Sequence, residues 1–170
     1  MLAARNRVFA LLDELGILHR TLEHAPVFTV EEAEAVTGHL PGAHTKNLLL
    51  EDRKGGLWLL SCLADRRIRI NAVARRLGAP RMSFAKPERV AEVLGVIPGA
   101  VSPFALVNDE RRQVQPLLED KLFSFDEVNF HPADNRATTT IASGDLLRFL
   151  EALGYRPILL DLEALGSDEG

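Results

Sequence analysis

Two hydrophobic periods alternate along this chain. Val8, Leu11, Leu12 and Leu15 share one helical face and Gly16 follows them, which predicts a helix over 3–15. Residues 17–23 alternate in polarity and predict a short strand. Thr29-Val30-Glu31-Glu32 has the pattern of a capping box, with Thr29 as N-cap of a helix ending near Gly38. Apolar runs at 45–51 and 57–63 flank the turn residues 52–56 and predict a hairpin. Ile70, Val73, Ala74 and Leu77 mark a helix closed by Gly78. Pro87 suits the first position of another, which carries Val90, Val93 and Leu94 up to Gly95. Strands are expected at 104–107 and 112–114, around the turn signal Asn108-Asp109, and again at 124–130 and 137–142. Ser143 is expected to cap a helix through Leu153, ended by Gly154. A last strand falls at 158–162, and the tail 166–170 is expected to fray.

Helices and strands interleave, yet hairpins occur among them. The expected fold is therefore α/β in the α+β sense, a mixed sheet with packed helices and not a doubly wound parallel one. A length of 170 residues suits a single domain over 1–170. No apolar run is long enough to span a bilayer, so no membrane partner is expected. The amphipathic start, with Arg5, Arg7, Asp13 and Glu14, does not read as a signal peptide. Cys62 is the only cysteine, which rules out an internal disulfide and fits a reducing cytoplasm; its apolar neighbours make it a core thiol.

The net charge of −4 argues against broad nucleic-acid binding, and no DNA partner is expected. The charge is unevenly placed. Arg66, Arg67, Arg69, Arg75, Arg76 and Arg81 stand against Asp65 alone, a local +5 that leaves −9 for the rest of the chain. Two readings stay open: a docking face for an anionic partner, or a solvated helix whose late arginines suit the negative end of its dipole.

Familiar catalytic signatures are missing. There is no Gly-x-Ser-x-Gly elbow, no phosphate-cradling Gly-x-x-x-x-Gly-Lys loop and no dinucleotide fingerprint. His39 and His44 lie close together in a Gly/Pro-containing loop and could share a metal, at a spacing looser than metal sites usually show; no metal is assigned. Three features are unusual. Lys46 shares a strand face with Leu48 and Leu50, where an ammonium must snorkel to water or meet an anion. The segment from Gly95 to Pro103 is stiffened by Pro98 and Pro103 and opened by Gly99, so that it can be a plain turn or can present backbone amides to an oxygen gaining charge. His131 ends a strand and precedes Pro132, with Asn135 and Thr138 following.

Taken in this order and at these separations, Thr45-Lys46-Asn47-Leu48, the Gly-x-x-x-Pro loop Gly99-Ala100-Val101-Ser102-Pro103 and His131-Pro132…Asn135…Thr138 resemble the YbaK/ProX family. Its members are relatives of the editing domain inserted in bacterial prolyl-tRNA synthetases. The likeness runs from about Thr29 to Leu162 and is nearest to the ProX branch, which deacylates alanine on proline tRNA; the YbaK branch prefers cysteine. It implies a strongly curved mixed sheet flanked by helices and an aminoacyl-tRNA hydrolase acting without a cofactor. Lys46 is implied as the essential lysine. Gly99, Ala100, Val101, Ser102 and Pro103 are implied to hold the aminoacyl carbonyl, and Asn47, His131 and Asn135 to line or brace the cavity. The general base is implied to be a hydroxyl of the terminal ribose. The expected partner is mischarged proline tRNA, met through the arginine stripe, with prolyl-tRNA synthetase as a second candidate. A small apolar pocket beside Lys46 would admit alanine and refuse proline. The alternatives are a deacylase of the YbaK type that removes cysteine from proline tRNA, or a non-catalytic tRNA-binding or translation-factor module on the same fold.

Overall fold

The structure is a computed structural model that describes residues 2–166. Eight strands form one mixed sheet: β1 (His19–Glu23), β2 (Ala43–Asp52), β3 (Leu57–Leu63), β4 (Met82–Phe84), β5 (Val114–Glu119), β6 (Glu127–Phe130), β7 (Ala137–Ala142) and β8 (Ile158–Leu160). The spatial order is β1-β7-β6-β2-β3-β5-β8, with β4 paired to β2 off this path. The β2–β3, β1–β7 and β6–β7 pairs are antiparallel, while β2–β6, β3–β5 and β5–β8 are parallel. The helices are α1 (Leu2–Glu14), α2 (Val30–Thr37), α3 (Ile70–Leu77), α4 (Pro87–Leu94), α5 (Ser143–Ala152) and α6 (Leu162–Gly166). This is the mixed sheet with flanking helices that the sequence predicts.

Alternation along the central hairpin divides the core. Leu49, Leu57 and Leu59 face a large cluster with Phe104, Phe130 and Phe149, shared by α1, α4 and α5. Leu50, Leu60 and Cys62 face a smaller one built with Val73 and Ala74 of α3 and with Leu117 and Leu160. Lys46 pairs with Cys62 across the ladder. Burial pushes the Cys62 thiol up to about 12, although the Lys46 charge opposes the shift, so it is a core thiol with no thiolate at neutral pH.

The path of β2 creates the site. One of its edges pairs with β3 from Thr45 to Glu51. The other meets β6 at Ala43 and His44, then β4 from Leu50 to Asp52. Lys46, Asn47 and Leu48 therefore lie at a fork, with registered partners on one side only. Entry into the fork depends on Gly42: its φ is +95°, and a Cβ there would stand 2.6 Å from the Glu127 carbonyl oxygen.

Several expectations need correction. Residues 104–107 are not a strand but part of a 3-10 helix, Pro103–Asn108, which the Ser102 hydroxyl caps by accepting from the Phe104 amide at 3.1 Å. Residues 112–114 do not form a strand of their own: Arg112 turns at φ 53°, and β5 starts at Val114 and runs to Glu119. Pro116 hid that strand, because proline argues against a paired position; it sits where β5 has only β3 beside it. The run at 124–130 is a 3-10 turn to Ser124 followed by β6. Ser143 is the first helical residue of α5 rather than its cap, and the cap position, Ala142, makes no side-chain bond. Leu162 opens α6 instead of ending β8, and β4 was not foreseen. In the tail, Gly166 closes α6, and the expected fraying of 167–170 falls outside the described residues.

Part of the arginine stripe is structural. Glu119 is fully buried and accepts from the Leu63 amide at 3.0 Å and from Arg66 Nε at 2.9 Å, with Arg66 Nη2 at 2.7 Å. Arg66→Ala leaves that carboxylate buried without its cation and is expected to cost about 3 kcal/mol, read as a lower urea midpoint. Arg76 is exposed on α3, and its replacement by alanine should stay within about 0.5 kcal/mol. Equal effects of the two changes would contradict this division of labour. Among the described residues, no helix is long and apolar enough to cross a membrane.

Candidate active site

A cavity of about 300 Å³ opens at the fork in the sheet. Its borders include Thr45, Lys46, Asn47 and Leu48 of β2, Gly99 and Val101 of the loop after α4, and His131 and Thr138 from the ends of β6 and β7. Lys46, the glycine–proline loop and the His131 segment, far apart in sequence, thus meet around one hollow. The volume lies at the low end of the range for small-molecule sites. Val27, Val30, Ala33 and Val101 give the hollow an apolar wall, and Asn47, Glu34 and His131 add polar surface.

The apolar wall is α2 and the segment before it. Thr29 Oγ1 accepts from the Glu32 amide at 3.0 Å, and Glu32 Oε1 accepts from the Phe28 amide at 2.7 Å, so the predicted capping box forms with its return bond one residue further back. Asn135 fastens this segment to the site. Its Nδ2 donates to the Val27 carbonyl at 2.9 Å, and the Val27 amide donates to the Asn135 carbonyl at 3.3 Å. Asn135 is buried behind the wall and braces it without lining the cavity.

Only Gly99 and Val101 of the expected loop border the cavity, whereas Ala100, Ser102 and Pro103 are buried behind it. The Ala100 and Val101 amides donate to the Ile97 and Pro98 carbonyls at 2.9 and 3.2 Å. Those two amides are spent inside the turn, which narrows what the loop can offer to an oxyanion. Ser102 ties the two loops together, since its Oγ donates to the His131 carbonyl at 2.6 Å.

The His131 loop is rigid and strained. Ala133 is fully buried at φ 61°, a conformation that costs energy in any residue but glycine. Asp134 holds the loop by accepting from the Arg136 amide at 3.0 Å and from Arg136 Nη2 at 3.0 Å, with Arg5 Nη1 at 3.5 Å. Burial pushes the Asp134 carboxyl up, but the Arg136 hydrogen bonds and the arginine charges outweigh it and hold it below the usual carboxylate range. His131 Nδ1 donates to the Ala137 carbonyl at 2.8 Å, which leaves Nε2 as the acceptor of the neutral ring.

Burial lowers the His131 pKa below its ordinary 6.5, helped by the His24 charge and opposed by the Ala137 carbonyl and Asp134. The unfolded chain then takes up this proton more readily than the folded one. The stability tied to the neutral ring is complete above about pH 6.5 and is lost as pH falls through 6.5 toward the lower folded value. An NMR titration of the His131 ring should show a midpoint below 6.5, and a midpoint above it would refute the assignment.

His44 also borders the cavity, but its Nε2 is engaged with the Leu40 carbonyl at 2.9 Å, and His39 is exposed. No group of three or more His, Cys, Asp or Glu side chains placed to share a metal occurs among the described residues. None of the six stripe arginines borders the cavity; Arg66, Arg67 and Arg69 line a separate hollow of about 270 Å³ with Leu162 and Glu163. Sequence reading missed Phe28, Thr37 and Asn129, which border the cavity, and His24 behind Thr138. Phe28 gives no periodic signal because it is 65% exposed at the rim.

Its family makes this chain an aminoacyl-tRNA hydrolase. The chain belongs to the aminoacyl-tRNA editing domain family, whose model matches residues 24–149. A Xenopus laevis relative, prolyl-tRNA synthetase associated domain-containing protein 1, is 38% identical, with 94% of this chain and 97% of the relative covered. The prolyl-tRNA editing protein ProX of Acetoanaerobium sticklandii is 36% identical, with 89% and 93% covered. The crystal structure of a proposed trans-editing enzyme for prolyl-tRNA synthetase shares the fold at a TM-score of 0.71 and 24% identity, covering 92% of this chain and 96% of that one.

Proposed function

We propose that this chain hydrolyses the ester of mischarged proline tRNA in trans, with alanine as the amino acid removed. The observation that carries the reading is the meeting of Lys46, the Gly99 loop and His131 around one cavity. No protein nucleophile is required, because an aminoacyl ester is already activated toward water. The site must orient the ester, admit a water and stabilise the oxyanion. Lys46 supplies the cation for the terminal phosphate or the carbonyl oxygen. Gly99 borders the cavity without a side chain, so the aminoacyl end can approach the backbone closely there. Asn47 and His131 line the cavity, Asn135 holds the wall, and a hydroxyl of the terminal ribose acts as base.

Selectivity follows from size. A missing methylene costs a substrate only about 1–3 kcal/mol in a synthetase pocket built for proline, and alanine, two ring carbons smaller, still fits it, so a second and tighter cavity is needed to remove alanine. The wall of Val27, Val30 and Ala33, stiffened by the capping box and by Asn135, supplies that limit. The exposed arginines Arg67, Arg76 and Arg81 would meet the tRNA backbone in the cytoplasm, while Arg66 serves Glu119. Prolyl-tRNA synthetase is a second partner of this reading.

A deacylation panel tests it. Alanine, cysteine, serine and proline esters on proline tRNA should be cleaved with alanine fastest and proline at its spontaneous rate. Spontaneous rates for all four would overturn the function, and preferred cleavage of cysteine would move the chain to the cysteine-specific branch.

A further inference from the structure

Around the cavity, three acceptors are left that no side chain of the described residues satisfies. The first is Asn47. Its Oδ1 is buried with no partner, while Nδ2 donates to Thr45 Oγ1 at 3.4 Å. The amide cannot be turned over to cure this, because the Thr45 hydroxyl already gives its proton to the Asn129 carbonyl at 2.6 Å and can only accept. A buried acceptor left unpaired is costly, so it calls for a donor from outside the chain.

The second acceptor is His131 Nε2, fixed in that role because Nδ1 must donate to the Ala137 carbonyl. The third is Thr138. His24 Nδ1 is held by the Ala25 carbonyl at 2.8 Å, so in the neutral ring Nε2 accepts, and the Thr138 hydroxyl donates to it at 2.9 Å. The Thr138 oxygen then offers only lone pairs. Asn47, His131 and Thr138 all border the same cavity, as does the acidic residue Glu34.

We infer that Asn47, His131 and Thr138 form a subsite for the free α-ammonium group of the aminoacyl ester. This rests on the proposed deacylase reading and adds which part of the substrate is recognised. An ammonium has three donors and no acceptor, the complement of this surface. Lys46 then serves the opposite, oxygen-bearing end of the substrate, so the two cations are kept apart. The site is thereby directed to aminoacyl esters and away from acyl esters that lack the amine.

Lactyl ester on proline tRNA, in which a hydroxyl replaces the amine at nearly constant size, isolates the effect. For each ester kcat/KM is divided by its hydroxide-catalysed rate, which removes intrinsic reactivity. The alanyl ester should exceed the lactyl ester by about ten- to hundredfold, the range of a hydrogen bond to a charged group. Thr138→Val should shrink that ratio, whereas a merely structural role would slow both esters alike. Equal normalised rates in the wild type would overturn the subsite and leave the deacylase intact. Failure to cleave either ester would overturn the deacylase reading and the subsite with it.

Discussion

Replacing Lys46 by alanine is expected to lower hydrolysis of the alanyl ester on proline tRNA by about 10²–10³-fold, the range seen when one preorganised charge-stabilising group is removed. The fold should survive. Lys46 is half-buried at the fork, and no ion pair among the described residues uses it. Loss of its stem should cost about 1 kcal/mol or less, measured as a small change in urea midpoint. Lys46→Arg separates charge from shape: a guanidinium keeps the cation but spreads it over a planar fork, so only partial activity should return. An alanine variant that deacylates at the wild-type rate would remove Lys46 from the mechanism.

The sequence made the site more legible than the fold's details. Lys46 stood out because a lysine on an apolar strand face needs a reason, and that reason is geometric: β2 loses its second neighbour between β6 and β4. The fork itself could not be foreseen, since it depends on β4, three residues long, and on a parallel contact with β6 that no local pattern announces. Ser102 and Asn135 show the limit of motif reading. Both belong to the motifs that mark the site, yet one ties two loops together and the other pins the wall, each from a buried position. A motif records what must be kept and not which atoms reach the cavity. His24 carried no signal because its role depends on Thr138, 114 residues away. The errors at 104–107 and 114–119 share one cause: proline changes the local rule. Pro103 starts a 3-10 helix within an apolar run that reads as a strand, and Pro116 sits inside a strand whose expected counterpart stopped at Val114.

Phe104 links the core to the site, and Phe104→Ala should have the largest effect on stability. The ring is fully buried and meets Phe130 edge-on at 5.7 Å and Phe149 at 5.1 Å. Removing it gives up its transfer free energy and leaves a cavity that β6 and α5, which supply Phe130 and Phe149, cannot readily close, for a loss of about 3–5 kcal/mol. In a chain of this length that corresponds to roughly 8–16 °C in Tm at the middle of that range. The damage should reach the chemistry as well. The Phe104 amide donates to Ser102 Oγ, Ser102 Oγ donates to the His131 carbonyl, and Phe130 precedes His131 in β6. Even at a temperature where the variant is folded, the Gly99 loop and His131 should hold the ester less firmly, which raises KM and lowers kcat. Phe104→Leu refills most of the volume and should recover most of both losses. Wild-type kinetics in a destabilised Phe104→Ala variant would show that the loops keep their register without this ring, and that the Ser102 bridge alone sets the site.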